Sequence, residues 1–223
     1  MALADVMAEL ESLGTEQNRK TYSRHGGGAN IFGVSFAHLG KIAKRLKKDT
    51  PLAEQLWATG NFDARNLATL IADPADISQK TVEAWAKSVN NRSHGDLVAA
   101  HVSSKAPFAQ QLMEKWRAAK SDHTRQQGWD LVAILAMQQK LTDEQMTAAL
   151  AEIERDIDTA PNWTRHAMNG ALISIGIASD QHHAQVLQIA ARIGKVEVDH
   201  GSTDCKTPDA VAYIAKARAR KKA

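Results

Sequence analysis

Residues 35–48, SFAHLGKIAKRLKK, show the pattern from which the fold can be inferred. Five apolar residues recur at helical spacing and predict an inner stripe: Phe36, Leu39, Ile42, Ala43 and Leu46. Ser35 stands where the N-cap of this helix belongs. The other side of this helix carries five basic residues and no acid: Lys41, Lys44, Arg45, Lys47 and Lys48. The stretch therefore predicts an amphipathic helix that buries one side and attracts an anion with the other.

Comparable amphipathic stretches follow one another along most of the chain, and hardly any segment alternates as a strand would. We expect helices near Ala2–Leu13, Leu52–Ala58, Phe62–Ala72, Gln79–Ser88, Asp96–Ser104, Ala106–Ala119, His123–Gln139, Asp143–Asp156, Trp163–Ala178 and Gln181–Ile193. The five prolines fall in the gaps or in first turns, where proline is tolerated. This succession predicts an all-α solenoid, a superhelical stack of antiparallel helix pairs like HEAT or armadillo repeats.

The organisation along the sequence favours one helical repeat domain over residues 1–223. Residues 1–30 hold the first helix and a polar segment with a Gly-rich loop at Gly26–Gly28. Residues 31–193 hold the repeats. Residues 194–223 form a less helical loop and a basic tail, which is interpreted either as a ragged helix end or as an extra phosphate contact.

Composition limits the kind of partner. The hydrophobic content of 43% supports a sizeable core, and the net charge is +3. Five of the positive charges belong to the tail, which leaves 23 basic against 25 acidic side chains elsewhere, so a polyanion must meet a local patch. No leader or long apolar run is visible and Cys205 is the only cysteine, which favours a cytoplasmic protein without intrachain disulfides.

Several motifs together resemble one family. These are Ile31–Ser35 before the basic helix, Leu56-Trp57 before Phe62–Ala72, and the turn and helix of Asn90–Val102. In order and spacing they are similar to the DNA alkylation repair family, the AlkD-like HEAT-repeat DNA glycosylases, over roughly residues 15–191. The resemblance implies a C-shaped stack whose concave face holds double-stranded DNA. A monomer is expected, because solenoids of this kind commonly act alone. It also implies excision of N3- or N7-alkylated purines by hydrolysis of the N-glycosidic bond, without a metal or another cofactor.

Cleavage of such a base leaves positive charge on the sugar, which a nearby carboxylate and the faces of aromatic rings can stabilise. The resemblance places Asp96 at the family's carboxylate position, so Asp96 is the expected catalytic residue. Side chains expected to contact DNA are Lys41, Lys44, Arg45, Lys48, Arg92, His94, Arg125, Arg165 and His166. The chain departs from the family pattern at Arg92 and Gly170, where tryptophans pack against the lesion, and near Gly128, where an arginine contacts the backbone.

Each of these features has a structural alternative. Asp96 could cap its helix, and the lysine cluster could be a solvated face. His166 and Asn169 either line the groove or satisfy buried backbone groups. Asp199, His200, Asp204 and Cys205 are metal-ligand types, but their spacing matches no standard zinc motif and a folded loop is favoured. Trp57, Trp85, Trp116 and Trp129 are interpreted as core residues.

Three functions follow from these readings. The favoured one is an alkylpurine DNA glycosylase. The second is a catalytically weak or inactive module that recognises damaged or branched DNA by its shape, which the missing tryptophans favour. The third is a protein-interaction scaffold, a common role of helical repeats.

Overall fold

The structure is a computed structural model that describes the backbone of residues 1–222 and the side chains of residues 1–220. Within this range it contains thirteen α-helices, one short 3-10 helix and no strand. The first seven helices are α1 (Leu3–Ser12), α2 (Glu16–Arg24), α3 (Phe36–Leu46), α4 (Thr50–Ala58), α5 (Phe62–Ile71), α6 (Gln79–Ser88) and α7 (Arg92–His101), after which Ser103–Lys105 forms the 3-10 helix. The remaining six are α8 (Ala109–Arg117), α9 (Asp122–Met137), α10 (Asp143–Asp156), α11 (Asn162–Ala178), α12 (Asp180–Ile193) and α13 (Ala210–Lys222). The prediction of an all-α chain is confirmed.

Side-chain caps fix where most of the helices begin. The residue before the helix accepts a hydrogen bond from a backbone N–H of the first turn at Thr15, Ser35, Asp49, Asn61, Ser78, Asn91, Thr142 and Ser179. Each cap satisfies an N–H that has no partner within the helix and contributes about 1 kcal/mol. These caps explain why the turns between helices can be short.

Contacts divide the chain into two compact units, residues 1–109 with 201–203, and residues 110–200 with 204–223. In the first unit α5 contacts both α3 and α7, while α4 packs on α5 and α6 packs on α7. Successive helices thus form hairpins, and α5 has α3 and α7 as its two neighbours among the odd-numbered helices of this unit. The prediction of one repeat domain over the whole chain stays a prediction.

The core of the first unit lies between these hairpins. Leu39 and Ile42 of α3 are buried, as are Leu56 and Leu67 of the next hairpin. Phe36 was predicted on the same inner stripe but is 50% exposed, because in the first turn of α3 its ring meets the edge of Tyr22 and is not enclosed. The rings of Trp57 and Trp85 stack with centroids 4.5 Å apart. The prediction that Trp57, Trp85, Trp116 and Trp129 are core residues is confirmed, since all four are buried.

The second unit is organised around α11. This helix packs along α9 and also contacts α12 and α13. Gly128 allows the close approach of α9 to α8, because a Cβ at this position would lie 2.4 Å from the backbone nitrogen of Arg117. Within residues 1–222, no helix is both long and apolar enough to cross a membrane.

Three local predictions need correction. The polar segment after α1 contains a helix, α2, which buries none of its side chains and is capped by Thr15. α7 begins at Arg92, four residues before the predicted start, because Asn91 accepts the N–H of His94 and caps it. The basic tail is an ordered helix, α13, which packs on α11 and α12.

Candidate nucleic-acid interface

The segment that leads into α3 is held by one buried carboxylate. Asp63, in the first turn of α5, accepts the backbone N–H groups of Phe32 at 2.7 Å, Gly33 at 3.0 Å and Val34 at 2.8 Å. Gly33 has φ +85°, and a Cβ there would lie 2.5 Å from the carbonyl oxygen of Thr15, so only glycine fits. This contact fixes the start of α3 relative to α5.

The five basic residues of the α3 stretch divide into two groups. Lys41, Lys44 and Lys47 are exposed. Arg45 forms an ion pair with Glu9 of α1. Lys48 donates from Nζ to the carbonyl oxygens of Leu70 at 3.0 Å and Ala72 at 2.7 Å, at the C-terminal end of α5. Arg45 and Lys48 therefore have structural partners, whereas the three exposed lysines leave their ammonium groups in solvent.

An open depression lies beside this cluster, lined by Gly40, Ala43, Lys44, Lys47, Lys48 and Leu70. Lys105, at the end of the 3-10 helix, adds a positive charge close to Lys48, and His101, the last residue of α7, lies near both. Burial lowers the pKa of Lys48, and the charge of Lys105 lowers it further. Burial likewise lowers the pKa of His101, with Lys105 and Lys48 contributing. His101 and Lys105 carry no local signal in the sequence, because only the packing of α7 beside α5 brings them to this surface.

Asp96 lies one turn inside α7 and is partly exposed. Its Oδ2 is 3.3 Å from Nη2 of Arg92, four residues earlier, with 40% of the Asp96 side chain and 32% of the Arg92 side chain exposed. The interpretation of Asp96 as a helix cap is wrong, because Asn91 caps α7. The carboxylate is accessible, and it pairs with the cation of Arg92.

His94 is a core residue in this structure. It is 2% exposed, its Nδ1 pairs with the Asn91 amide at 2.9 Å, and its Nε2 lies 3.1 Å from the carbonyl oxygen of Phe62. Burial lowers the pKa of His94 to about 4, so the ring is neutral at physiological pH. A buried ring with both nitrogens engaged cannot reach a phosphate, which removes His94 from the set of DNA contacts.

In the second unit, Arg125 and Arg165 have protein partners. Arg125 lies 3.9 Å from Glu152, which also pairs with Arg117. Arg165 donates to the carbonyl oxygens of Ala160 at 2.9 Å and Glu197 at 3.2 Å. These contacts give both arginines a structural role within the unit.

Residues 195–200 and 204–208 of the second unit lie along the polar side of α11. Asn162 and Asp199 exchange two hydrogen bonds of 2.8 Å, and Asn169 donates to the carbonyl oxygen of Pro208 at 3.0 Å. The rings of His166 and His200 meet edge to face at 5.4 Å. Of the two readings of Asn169, backbone satisfaction is therefore correct. The described residues contain no group of three potential ligands that could hold a metal ion.

Gly128 and Gly170, at or near which the resemblance predicted an arginine and a tryptophan, differ in their surroundings. A Cβ at Gly170 of α11 would meet no atom within 4 Å, so a side chain could be accommodated there. A Cβ at Gly128 would collide with the backbone of Trp116 and Arg117. The absence of an arginine at Gly128 thus follows from helix packing, whereas the absence of a tryptophan at Gly170 does not.

Paired helices with a basic surface on α3 and an accessible carboxylate on α7 define a helical-repeat protein suited to an extended anion. Residues 6–214 match the family model described as DNA alkylation repair enzyme. The chain belongs to this family.

Its relatives agree with this assignment. Uncharacterised proteins of Listeria innocua and Listeria monocytogenes are each 30% identical, over 95% and 96% of both chains respectively. A solved structure superposes with a TM-score of 0.91 at 30% identity, covering 99% of this chain and 95% of the other. That structure is described as "a new family of proteins related to the HEAT-like repeat DNA glycosylases with affinity for branched DNA structures". The HEAT-like helical-repeat fold expected from the sequence is confirmed.

Proposed function

We propose that this protein binds branched or sharply bent DNA through its phosphate backbone, with the exposed side of α3 as the main contact in the first unit. The observation that carries the proposal is the cluster of Lys41, Lys44 and Lys47. Within the described residues, no carboxylate lies within ion-pair distance of these three exposed lysines. Two of these charges lie one turn apart on α3 and the third lies directly after the helix, so they repel one another, and a phosphate chain relieves that repulsion.

The contact is with the backbone and not with base edges. Lysine offers a flexible point charge, which suits phosphate oxygens but does not read a base pair in the way a paired donor does. Lys105 enlarges the same positive surface, because its charge acts on Lys48, whereas the lowered pKa of His101 leaves that ring neutral at physiological pH. The predicted contacts at Lys41 and Lys44 are kept in this proposal, and Lys47 is added.

Recognition of DNA shape is favoured over excision of a damaged base. Arg92 and Gly170 occupy the positions of the family's lesion-packing tryptophans, and a cation at position 92 would repel a positively charged alkylpurine. Arg92 also pairs with Asp96 and offsets the charge that would stabilise the sugar. The solved relative, at 30% identity over nearly the whole chain, is described as having affinity for branched DNA structures.

A binding comparison tests this function. Labelled four-way junctions, three-way junctions and linear duplexes of equal length and composition are titrated with the protein, and fluorescence anisotropy gives each Kd. We expect tighter binding to both junctions than to the duplex, and weakening of all three as salt rises. Equal affinity for junction and duplex would overturn shape recognition, and no binding to any of them would overturn DNA binding.

The second candidate is the glycosylase activity that Asp96 was predicted to support. The partial exposure of the Asp96 side chain favours glycosylase activity, because a carboxylate that solvent reaches can also reach a flipped sugar. Asp96 would stabilise the developing charge on the sugar and orient the attacking water. Incubation with methylated duplex DNA, followed by mass spectrometry of released bases, decides the matter. Release by the wild type that is lost in Asp96→Asn would support excision, and absence of release would exclude it.

The remaining expectations concern the state of the protein. Action as a monomer, a cytoplasmic location and independence from metals and other cofactors stay predictions.

A further inference from the structure

The C-terminal helix α13 is fastened to the second unit in a way that fixes which side faces solvent. Ala210 and Ile214 are buried. Arg218 donates to the carbonyl oxygens of Gly176 at 3.1 Å and Ile177 at 3.4 Å, at the end of α11, and forms an ion pair with Asp180. A cation at these last carbonyls also complements the dipole of α11. The other side of α13 is therefore held outward.

That outward side combines an aromatic ring with two cations. Tyr213, Lys216 and Arg220 are all exposed, and they are separated by three and seven residues, which places them on one side of a helix. Tyr213 is 52% exposed, and among the described residues its hydroxyl has no hydrogen-bond partner. At about 1.5 Å per residue, the three side chains span about 10 Å along the helix axis.

We propose that Tyr213, Lys216 and Arg220 bind an unpaired stretch of DNA, with a base stacked on the Tyr213 ring and phosphates on Lys216 and Arg220. The inference rests on the proposed function and adds to it the kind of branched DNA that is preferred: one that carries a single-stranded arm.

An exposed aromatic ring beside cations suits a single strand better than a duplex. The bases of a duplex are stacked on one another, so their faces are not available to a tyrosine. Unpaired bases expose their faces, and proteins that bind single strands combine stacking rings with a basic surface. Val211 of the same helix is also exposed, but it lies on the other side from Tyr213 and offers no stacking surface.

The test compares two forked DNAs that differ only in one arm, which is single-stranded in the first and duplex in the second. Tyr213→Ala should weaken binding to the single-stranded fork by roughly 5- to 150-fold and leave the duplex fork nearly unchanged. Tyr213→Phe keeps the ring and should retain wild-type affinity. Val211→Ala is the matched control on the same helix. A 2-aminopurine in the single-stranded arm reports stacking through its fluorescence, and this signal should be quenched by wild type and not by Tyr213→Ala.

The outcomes separate this inference from the proposed function. Junction binding by the wild type together with an unchanged Tyr213→Ala would overturn the inference alone. An equal loss on both forks would also overturn it, since the ring would then serve duplex binding or the fold. No binding of the wild type to any fork or junction would overturn both. Circular dichroism of each variant shows whether α13 remains folded.

Discussion

The surface of α3 leads to a quantitative prediction about salt. The double substitution Lys41→Ala and Lys44→Ala removes two exposed ammonium groups from α3, and alanine preserves the helix. The double variant should bind a four-way junction more weakly than wild type. Its affinity should also depend less on salt, because fewer counterions are released from the DNA.

The magnitude follows from the number of phosphates contacted. Each contact contributes about 0.9 to the slope of log affinity against log salt on duplex arms, so losing two lowers the slope by about 1.8. Between about 50 and about 200 mM salt, the affinity gap between wild type and variant should then shrink roughly tenfold. Anisotropy titrations at four salt concentrations are sufficient to measure it.

A matched control is available in the same unit. Lys80 and Lys87 are exposed on α6. This helix packs on α7 and is not one of the three helices α3, α5 and α7 near the basic surface. Lys80→Ala plus Lys87→Ala removes the same charge and should leave the slope close to that of wild type. The reasoning is refuted if both double variants change the slope equally, since net charge alone would then account for binding, or if neither changes it.

Three further predictions concern stability, measured as the free energy of unfolding in denaturant. Gly170→Ala should stabilise the protein by about 0.5–1 kcal/mol, because its Cβ meets nothing, whereas Gly128→Ala should destabilise it by about 1–3 kcal/mol through collision with α8. Asp63→Asn should cost about 2–4 kcal/mol, because an amide cannot accept all three N–H groups, and a smaller loss would mean that the segment before α3 rearranges. The folded-state pKa of His94, about 4, lies below its unfolded value of about 6.5. The contribution of His94 to the free energy of unfolding is therefore complete above pH 6.5 and is lost as the pH falls toward 4, on the order of 3 kcal/mol in all. His94→Gln should lack that part of the pH dependence, and an unchanged pH profile would contradict the assignment.

Local signals were enough for most of the helices. α10 begins and ends where the sequence predicts, because Thr142 and Gln145 form a capping box before an amphipathic run. α2 was missed because it buries no side chain, so no apolar periodicity marks it; its Thr15 cap and the contact of Tyr22 with Phe62 keep it in place. Helices without a buried face leave little trace in a sequence.

The candidate site could be predicted only in part, for a related reason. Helical periodicity alone places Lys41 and Lys44 on the exposed side of α3. His94 looked equally suitable, yet the carbonyl of Phe62, 32 residues away, receives its ring inside the core. His101 and Lys105 join the basic surface through tertiary packing, which no local pattern specifies. Side chains on a free helix face are thus predictable, while those that depend on a distant partner are not.

The buried carboxylate of Asp63 has a further consequence, for amide hydrogen exchange. The N–H groups of Phe32, Gly33 and Val34 belong to no helix, and such groups ordinarily exchange quickly with solvent. Because each of them is bonded to a side chain anchored in α5, they can exchange only when that helix separates from the segment before α3. Their protection should therefore equal that of core helical amides, and this loop should open together with α5 as one cooperative unit.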